Sequence, residues 1–314
     1  MSQHRHGALR FNDIDNDAGA APDVEFCRVE DVDFNAEPQR SQEKCAGEIV
    51  PDMTIVDEIN PTLRATVKDH QELVLMNSAE CGVGVHDVEL YLREADATTR
   101  KPVDKATAVH DYIEIYDGLA YWSEFTLEPA QTSTATVIVD VTFDPDGTPT
   151  EPFNIQEDIA YPTIAGGHDL FTLGKVLLNG TALKNVQRVT VQNEYQFDTE
   201  VERSRRTEYR EARVVSDAIT RIRIRLQERM NWVPTTGIAH KGSALDGVNG
   251  IEIYARKKGY AESALQHVKW QAIDGKAYPV NLQGSRSNLA TDEFVIEIEK
   301  KTTHLVGTSL QAIP

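Results

Sequence analysis

"GVHDVELYLR" (84–93) and "GVNGIEIYAR" (247–256) are nearly the same decapeptide. Five of the ten positions are identical and two more exchange Val or Leu for Ile, across a separation of 163 residues. In the first copy Val88, Leu90 and Leu92 alternate with Glu89, Tyr91 and Arg93, the period-two pattern of a strand with one buried face. A strand repeated with its flanks implies a repeated domain, so the flanks decide the plan.

The echo continues outward. "HDYIEIYDGLAYW" (110–122) aligns with "HVKWQAIDGKAYP" (267–279) at an offset of 157, matching His110, Asp117, Gly118, Ala120 and Tyr121 to His267, Asp274, Gly275, Ala277 and Tyr278. At the same offset "VIVDV" (137–141) meets "FVIEI" (294–298) and "TLRATV" (62–67) meets "ITRIRI" (219–224). "GALRFND" (7–13) resembles "GKVLLNG" (174–180), and "CRVEDV" (27–32) resembles "QRVTVQ" (187–192). The blocks keep one order, so the expected plan is a tandem duplication, with domains at 1–163 and 164–314 and a boundary near "YPTIAGGHD" (161–169). Val, Ile, Thr and Tyr dominate the alternating segments. Asp-Gly pairs at 117–118, 146–147 and 274–275 are read as hairpin turns. One short helix per half is expected, at 68–78 and at 226–233. The predicted class is mainly β: two tandem antiparallel β-sandwich or rolled-barrel domains, each with one short helix.

The 314 residues suffice for two cores, and 40% hydrophobic with 26% charged residues is an ordinary globular balance. No apolar run approaches the roughly 18–20 residues of a membrane span, and "MSQHRHGALRF" lacks signal-peptide character, so a chain without membrane association, made in a cytoplasm, is expected. The net charge of −18 is uneven: residues 1–160 hold 33 acidic and 11 basic side chains, a net of −22, and residues 161–314 hold 17 and 21, a net of +4. Such a chain does not grip nucleic acid by neutralising phosphates.

Chemistry-bearing motifs are sparse. Cys27, Cys45 and Cys81 have neither disulfide nor zinc spacing and read as reduced thiols. Asp13, Asp15 and Asp17 imitate a calcium loop, but Ala18 and Val24 stand where it needs Gly and Glu. His110 and His267 recur at equivalent places and are read as structural. No nucleophile elbow, phosphate loop or metalloprotease motif occurs, so no catalytic residue, metal or cofactor is assigned. The charged run 202–213 reads as a long hairpin, solvated or paired with a partner subunit. Strand domains must pair, cover or charge their edges, and a head-to-tail ring of alternating domains would do so. Arg221, Arg223, Arg225, Arg203, Arg205, Arg206, Glu89 and Glu252 are the candidate inter-subunit contacts, with Arg221, Arg223 and Arg225 expected to meet carboxylates of a neighbouring first domain.

The succession "LGKVLLNGTALKNVQRVTVQ" (173–192), a charged hairpin, alternating strands, a short helix and further strands resembles the tail tube proteins of long-tailed (siphovirus-like) bacteriophages, in their duplicated-domain variant. The resemblance implies β-sandwich domains and trimeric, pseudo-hexameric rings. These would stack into a tube with an electronegative channel, through which phage DNA passes without specific binding. It also implies a virion location after assembly in the host cytoplasm, with terminator, distal tail and tape-measure proteins as neighbours. Other readings are a different tail ring protein, such as a terminator or distal tail component, or a tandem β-sandwich carbohydrate-binding module.

Overall fold

The computed structural model describes residues 4–14, 23–43, 53–76, 82–96, 98–99, 101–144, 150–164, 169–198, 208–227, 242–285, 288–298 and 305–314. Its first half contains β1 (His4–Ile14), β2 (Val24–Asn35), β3 (Pro38–Glu43), β4 (Met53–Ile59), β5 (Thr62–Val67), α1 (Glu72–Leu75), β6 (Val83–Glu94), β7 (His110–Leu127), β8 (Thr134–Thr142) and β9 (Phe153–Ile159). The second contains β10 (Phe171–Leu178), β11 (Thr181–Ala182), β12 (Val186–Phe197), β13 (Val215–Leu226), β14 (Ser243–Ala244), β15 (Ile251–Lys257), β16 (His267–Ala272), β17 (Lys276–Ser285), β18 (Asn288–Glu297) and β19 (Val306–Gln311). The chain is mainly β, as its alternating patterns require.

In the first half, β7-β6-β1-β2-β5-β8 run in that order and β8 returns to β7, closing an antiparallel barrel, with β9 beside the start of β7. In the second half the same succession opens into a sandwich. One sheet is β11-β10-β15-β16-β19 and the other β14-β17-β18-β13-β12. The two halves differ at two places: β1 pairs β2 through Gly7–Phe11, whereas β10 pairs β11 and β15 instead of β12, and the continuous β7 of the first half is split into β16 and β17 in the second.

The pairings repeat residue by residue. β7 and β8 match Ala120 to Val139 and Phe125 to Ala135, while β17 and β18 match Ala277 to Ile296 and Leu282 to Asp292, all displaced by 157. The register slips at the same place in both, between Trp122 and Glu124 and between Pro279 and Asn281. Backbone conformation repeats too. Left-handed residues pair up as Gly82 (φ 90°) with Gly242 (88°), Asp87 (55°) with Gly250 (56°), and Asp158 (59°) with Leu310 (56°).

Several expectations are corrected. β2 and β12 correspond at 157 rather than 160: Val29 and Asp31–Asn35 occupy the places of Val186 and Arg188–Gln192, each with a bulge after its first residue. A three-residue error would turn the buried face outward. β5 corresponds to Arg221–Leu226, two residues beyond the expected match. Of the helix expected at 68–78, the described residues 68–76 form only the single turn Glu72–Leu75, because Lys68, Asp69 and His70 are taken into contacts with β2 and the core; residues 77–78 lie outside the described residues. Of 226–233, Leu226 ends β13 and residues 228–233 lie outside the described residues.

The two described Asp-Gly pairs are not hairpins. Asp117-Gly118 lies mid-strand in β7, opposite His86 and Val85 on β6. Gly275 joins β16 to β17, which belong to different sheets. Gly275 marks the crossing from one sheet to the other and Gly118 the equivalent point of the continuous β7, and at both the backbone presses on a neighbouring carbonyl. A Cβ at Gly118 would sit 2.9 Å from the Asp140 oxygen, and one at Gly275 (φ 150°) 2.5 Å from the Glu297 oxygen. The pair 146–147 lies outside the described residues.

One hydrophobic core runs through both halves. At its centre Trp270 meets Phe125 at 4.9 Å, Trp122 at 5.6 Å and His70 at 5.7 Å between ring centroids. Trp270 Nε1 donates to His70 Nε2 at 2.8 Å. Burial pushes the His70 pKa down to about 3, so the imidazole stays neutral and accepts that bond.

The crowding at Gly275 predicts that Gly275→Ala costs about 1–3 kcal/mol, whereas Gly247→Ala, with a positive φ but open space around it, costs about 1 kcal/mol. Thermal melts of the two variants check the order.

Candidate assembly surface

The two halves meet edge to edge. The last residues of β7 pair with β12, matching Glu124 to Gln192, Phe125 to Val191, Thr126 to Thr190 and Leu127 to Val189. Phe125, Leu127, Val189 and Val191 turn inward and are fully buried. On the other face Thr126 Oγ1 lies 3.3 Å from Thr190 Oγ1 and Gln192 Nε2 donates to Glu124 Oε2 at 2.6 Å. This joint fuses β2-β5-β8-β7 and β12-β13-β18-β17 into one run of eight strands.

The arm between β12 and β13 folds back onto the first half. Arg213 Nε donates to Asp140 Oδ2 at 2.9 Å, and Tyr121 Oη and Thr62 Oγ1 donate to the same carboxylate at 3.2 Å. The Phe143 amide donates to the Arg210 carbonyl at 2.8 Å. Part of the charged hairpin is therefore held within the chain. Arg203, Arg205 and Arg206 lie outside the described residues.

Arg221 sits on β13 between two strands, 2.5 Å from Glu194 on β12 and 3.1 Å from Glu297 on β18. Arg223 lies 3.3 Å from Glu293. Arg225 is exposed and faces Arg188 and Glu293 in register. Glu89 and Glu252 occupy equivalent places on β6 and β15. Glu89 accepts from Tyr112 at 3.2 Å; Glu252 accepts from Tyr254 at 3.0 Å and from Gln271 at 3.2 Å. β15 belongs to the opposite sheet of the sandwich from β13, so the expected contacts are not gathered on one surface.

The repeated histidines share one role. His110 Nδ1 accepts from the Glu94 amide at 3.1 Å while Nε2 donates to the Asp104 carbonyl at 3.2 Å. His267 does the same with the Lys257 amide at 3.1 Å and the Ala261 carbonyl at 2.8 Å. Both are fully buried and pin the loop between the two strands. Asp15, Asp17, Cys45 and Cys81 lie outside the described residues. No group of three or more metal-ligating side chains occurs among the described residues. Cys27 Sγ donates to Asp69 Oδ1 at 3.3 Å, and burial, then Asp69, pushes the thiol up to about 12; it is not a thiolate nucleophile. Trp122 and Trp270 are buried in the core and offer no stacking platform for a sugar. Trp232 lies outside the described residues.

What sequence reasoning missed is a property of backbone. β2 pairs β1 through Val24–Val29 on one side and β5 through Val29–Asn35 on the other. From Asp31 to Asn35 the edge facing away from β5 has no strand partner among the described residues. β17 is likewise covered by β14 only at Lys276 and Ala277, on the side away from β18. No residue type announces such an edge; only the registers reveal it.

A scan against known protein families matches none, and a search of characterised proteins finds no significant match.

Glu72 on α1 is crowded by burial and by Asp69, Glu25 and Asp169, which raise its pKa to about 7. The folded state thus holds a proton that the unfolded chain releases above its ordinary 4.5. Its contribution is fully present below that pH and falls as pH rises through about 7. Glu72→Gln is therefore expected to stabilise the protein at pH 8 by about 1–2 kcal/mol, allowing for its partial exposure, with the gain vanishing near pH 4.5. Paired urea titrations at the two pH values check it.

Proposed function

We propose that this chain is a structural subunit of a bacteriophage tail tube, one copy supplying two neighbouring positions of a trimeric, pseudo-hexameric ring. The observation that carries the reading is the joint between β7 and β12. Two halves with the same pairings are already joined side by side, head to tail, and the outer strands of the resulting run carry stretches of edge without a strand partner among the described residues. Head-to-tail contacts close into rings when the rotation permits.

The eight-stranded run suits a channel wall. Its inward face, with Leu63, Ala65, Val67, Ile222, Ile224 and Leu226, is buried in the core. Its outward face presents Arg64, Thr66, Glu124, Thr126, Thr190, Gln192 and the β13 arginines, the alternation expected of a wetted wall. Charge on it is mixed rather than uniformly acidic: Asp31 and Asp33 are exposed on β2, and Arg188, Arg221 and Arg223 each lie beside a carboxylate. Arginines occupied by carboxylates release fewer counterions from DNA, consistent with passage without adhesion. The tail tube resemblance supplies the channel's cargo; nothing in the reading needs catalysis or a cofactor.

Negative-stain electron microscopy of the concentrated, purified chain checks this. Rings or stacked tubes with an open channel, averaging to threefold symmetry, are expected. A discrete dimer about a twofold axis, or a monomer that binds glycans, contradicts it.

A further inference from the structure

The joint inside the chain is asymmetric. It consumes the end of β7 from the first half and the edge of β12 from the second. Because the halves are built alike, the counterparts of both edges exist elsewhere in the molecule. Displacing Glu124–Leu127 by 157 gives residues 281–284 of β17, and displacing Val189–Gln192 back by 157 gives Val32–Asn35 of β2. These are the segments whose outer edges lack a strand partner among the described residues.

We infer that β2 of one copy adds antiparallel to β17 of another, in the register Val32 to Gly284, Asp33 to Gln283, Phe34 to Leu282 and Asn35 to Asn281. The inference rests on the ring reading and specifies the ring's joint. Four observations carry it. The strands that would meet share the bulges of their internal counterparts, after Val29 as after Val186 and before Asn281 as before Glu124. Both segments are already held in register on their inner sides by β5 and β18, so joining them orders little new backbone. Within one copy they cannot meet, since β5, β8, β7, β12, β13 and β18 lie between them in the run. Each contact also sets the first half, at −22, against the second, at +4, the favourable of the possible pairings.

The joint is strand addition. Backbone amides and carbonyls on these two edges, which have no strand partner among the described residues, would pair between copies. Asp33 and Asn35, both exposed, take the outward positions that Thr190 and Gln192 hold inside the chain. Each copy has one donor edge and one acceptor edge, so a closed ring leaves neither exposed.

The test is a disulfide across the predicted pair. Asp33 and Gln283 correspond to Thr190 and Thr126, whose side chains touch inside the chain; that closeness fits disulfide geometry. The full chain carrying Asp33→Cys and Gln283→Cys is concentrated, oxidised and read by denaturing electrophoresis and peptide mapping, with the unsubstituted chain as control for Cys27, Cys45 and Cys81. The expected result is a 33–283 linked peptide in most chains and a covalent ladder ending at a closed trimer. Chains carrying one substitution each should link only when mixed. Asn35→Cys with Asn281→Cys reports the same register if the first pair folds poorly, and Asp31→Cys with Gln283→Cys, two residues out of register, should link at least tenfold less. Rings in the microscope without the 33–283 link overturn this joint and leave the ring reading standing. Linked open chains without rings support the joint and overturn the closed ring. Monomers without links overturn both.

Discussion

A β-strand has two edges, and each must end on a partner or on water. β7 shows how much of this molecule follows from that constraint. Over Asp111–Ala120 it pairs with β6, over His110–Ile115 with β9, over Asp117–Thr126 with β8, and over Glu124–Leu127 with β12. One strand thus closes the first barrel and opens the second half. It can do so because Gly118 lets it pass close over the Asp140 carbonyl, and because a bulge after Trp122 re-aims its end. Where the chain breaks this strand, between β16 and β17, and β10 does not pair β12, the barrel becomes an open sandwich.

The aromatic cluster makes the joint rigid. Trp122, Phe125 and His70 come from the first half and Trp270 and Phe171 from the second. Four backbone pairs alone would hold two domains weakly; a shared core with a buried Trp270–His70 hydrogen bond leaves no hinge between them. A joint between copies would lack these tryptophans: Pro279 stands where Trp122 does, and Ile113 where Trp270 does. It should accordingly be the weaker of the two, as assembly from separate subunits requires.

Much of the strand plan was legible in the sequence, and its errors have physical causes. The decapeptides from Val88 and Ile251 onward and the His110 and His267 blocks align as the registers do, whereas the leading Gly-Val pairs do not, since Val85 is buried in β6 and Val248 is exposed before β15. β5 and β13 were misaligned by two, a slip that period-two alternation cannot reveal. β2 and β12 were misaligned by three because Cys27–Val32 and Gln187–Gln192 share too few side chains to outweigh a matched bulge. Asp-Gly was taken for a turn because its local preference is strong, while the reason for Gly118 is a carbonyl distant in sequence. Of the charged candidates, Arg221 and Arg223 lie beside carboxylates of their own sheet, and the proposed joint is an edge of backbone, to which side-chain chemistry gives no clue.

Amide hydrogen exchange is the most direct measurement. Spectra of the dilute chain and of the concentrated assembly should differ chiefly at two places, with alternate amides of Val32–Asn35 and of residues 281–284 gaining protection together while those of Glu124–Leu127 and Val189–Gln192 stay protected throughout. Protection gained on β9 and β19 instead, with β2 and β17 unchanged, would show that copies meet through the other sheet and would contradict a joint used twice.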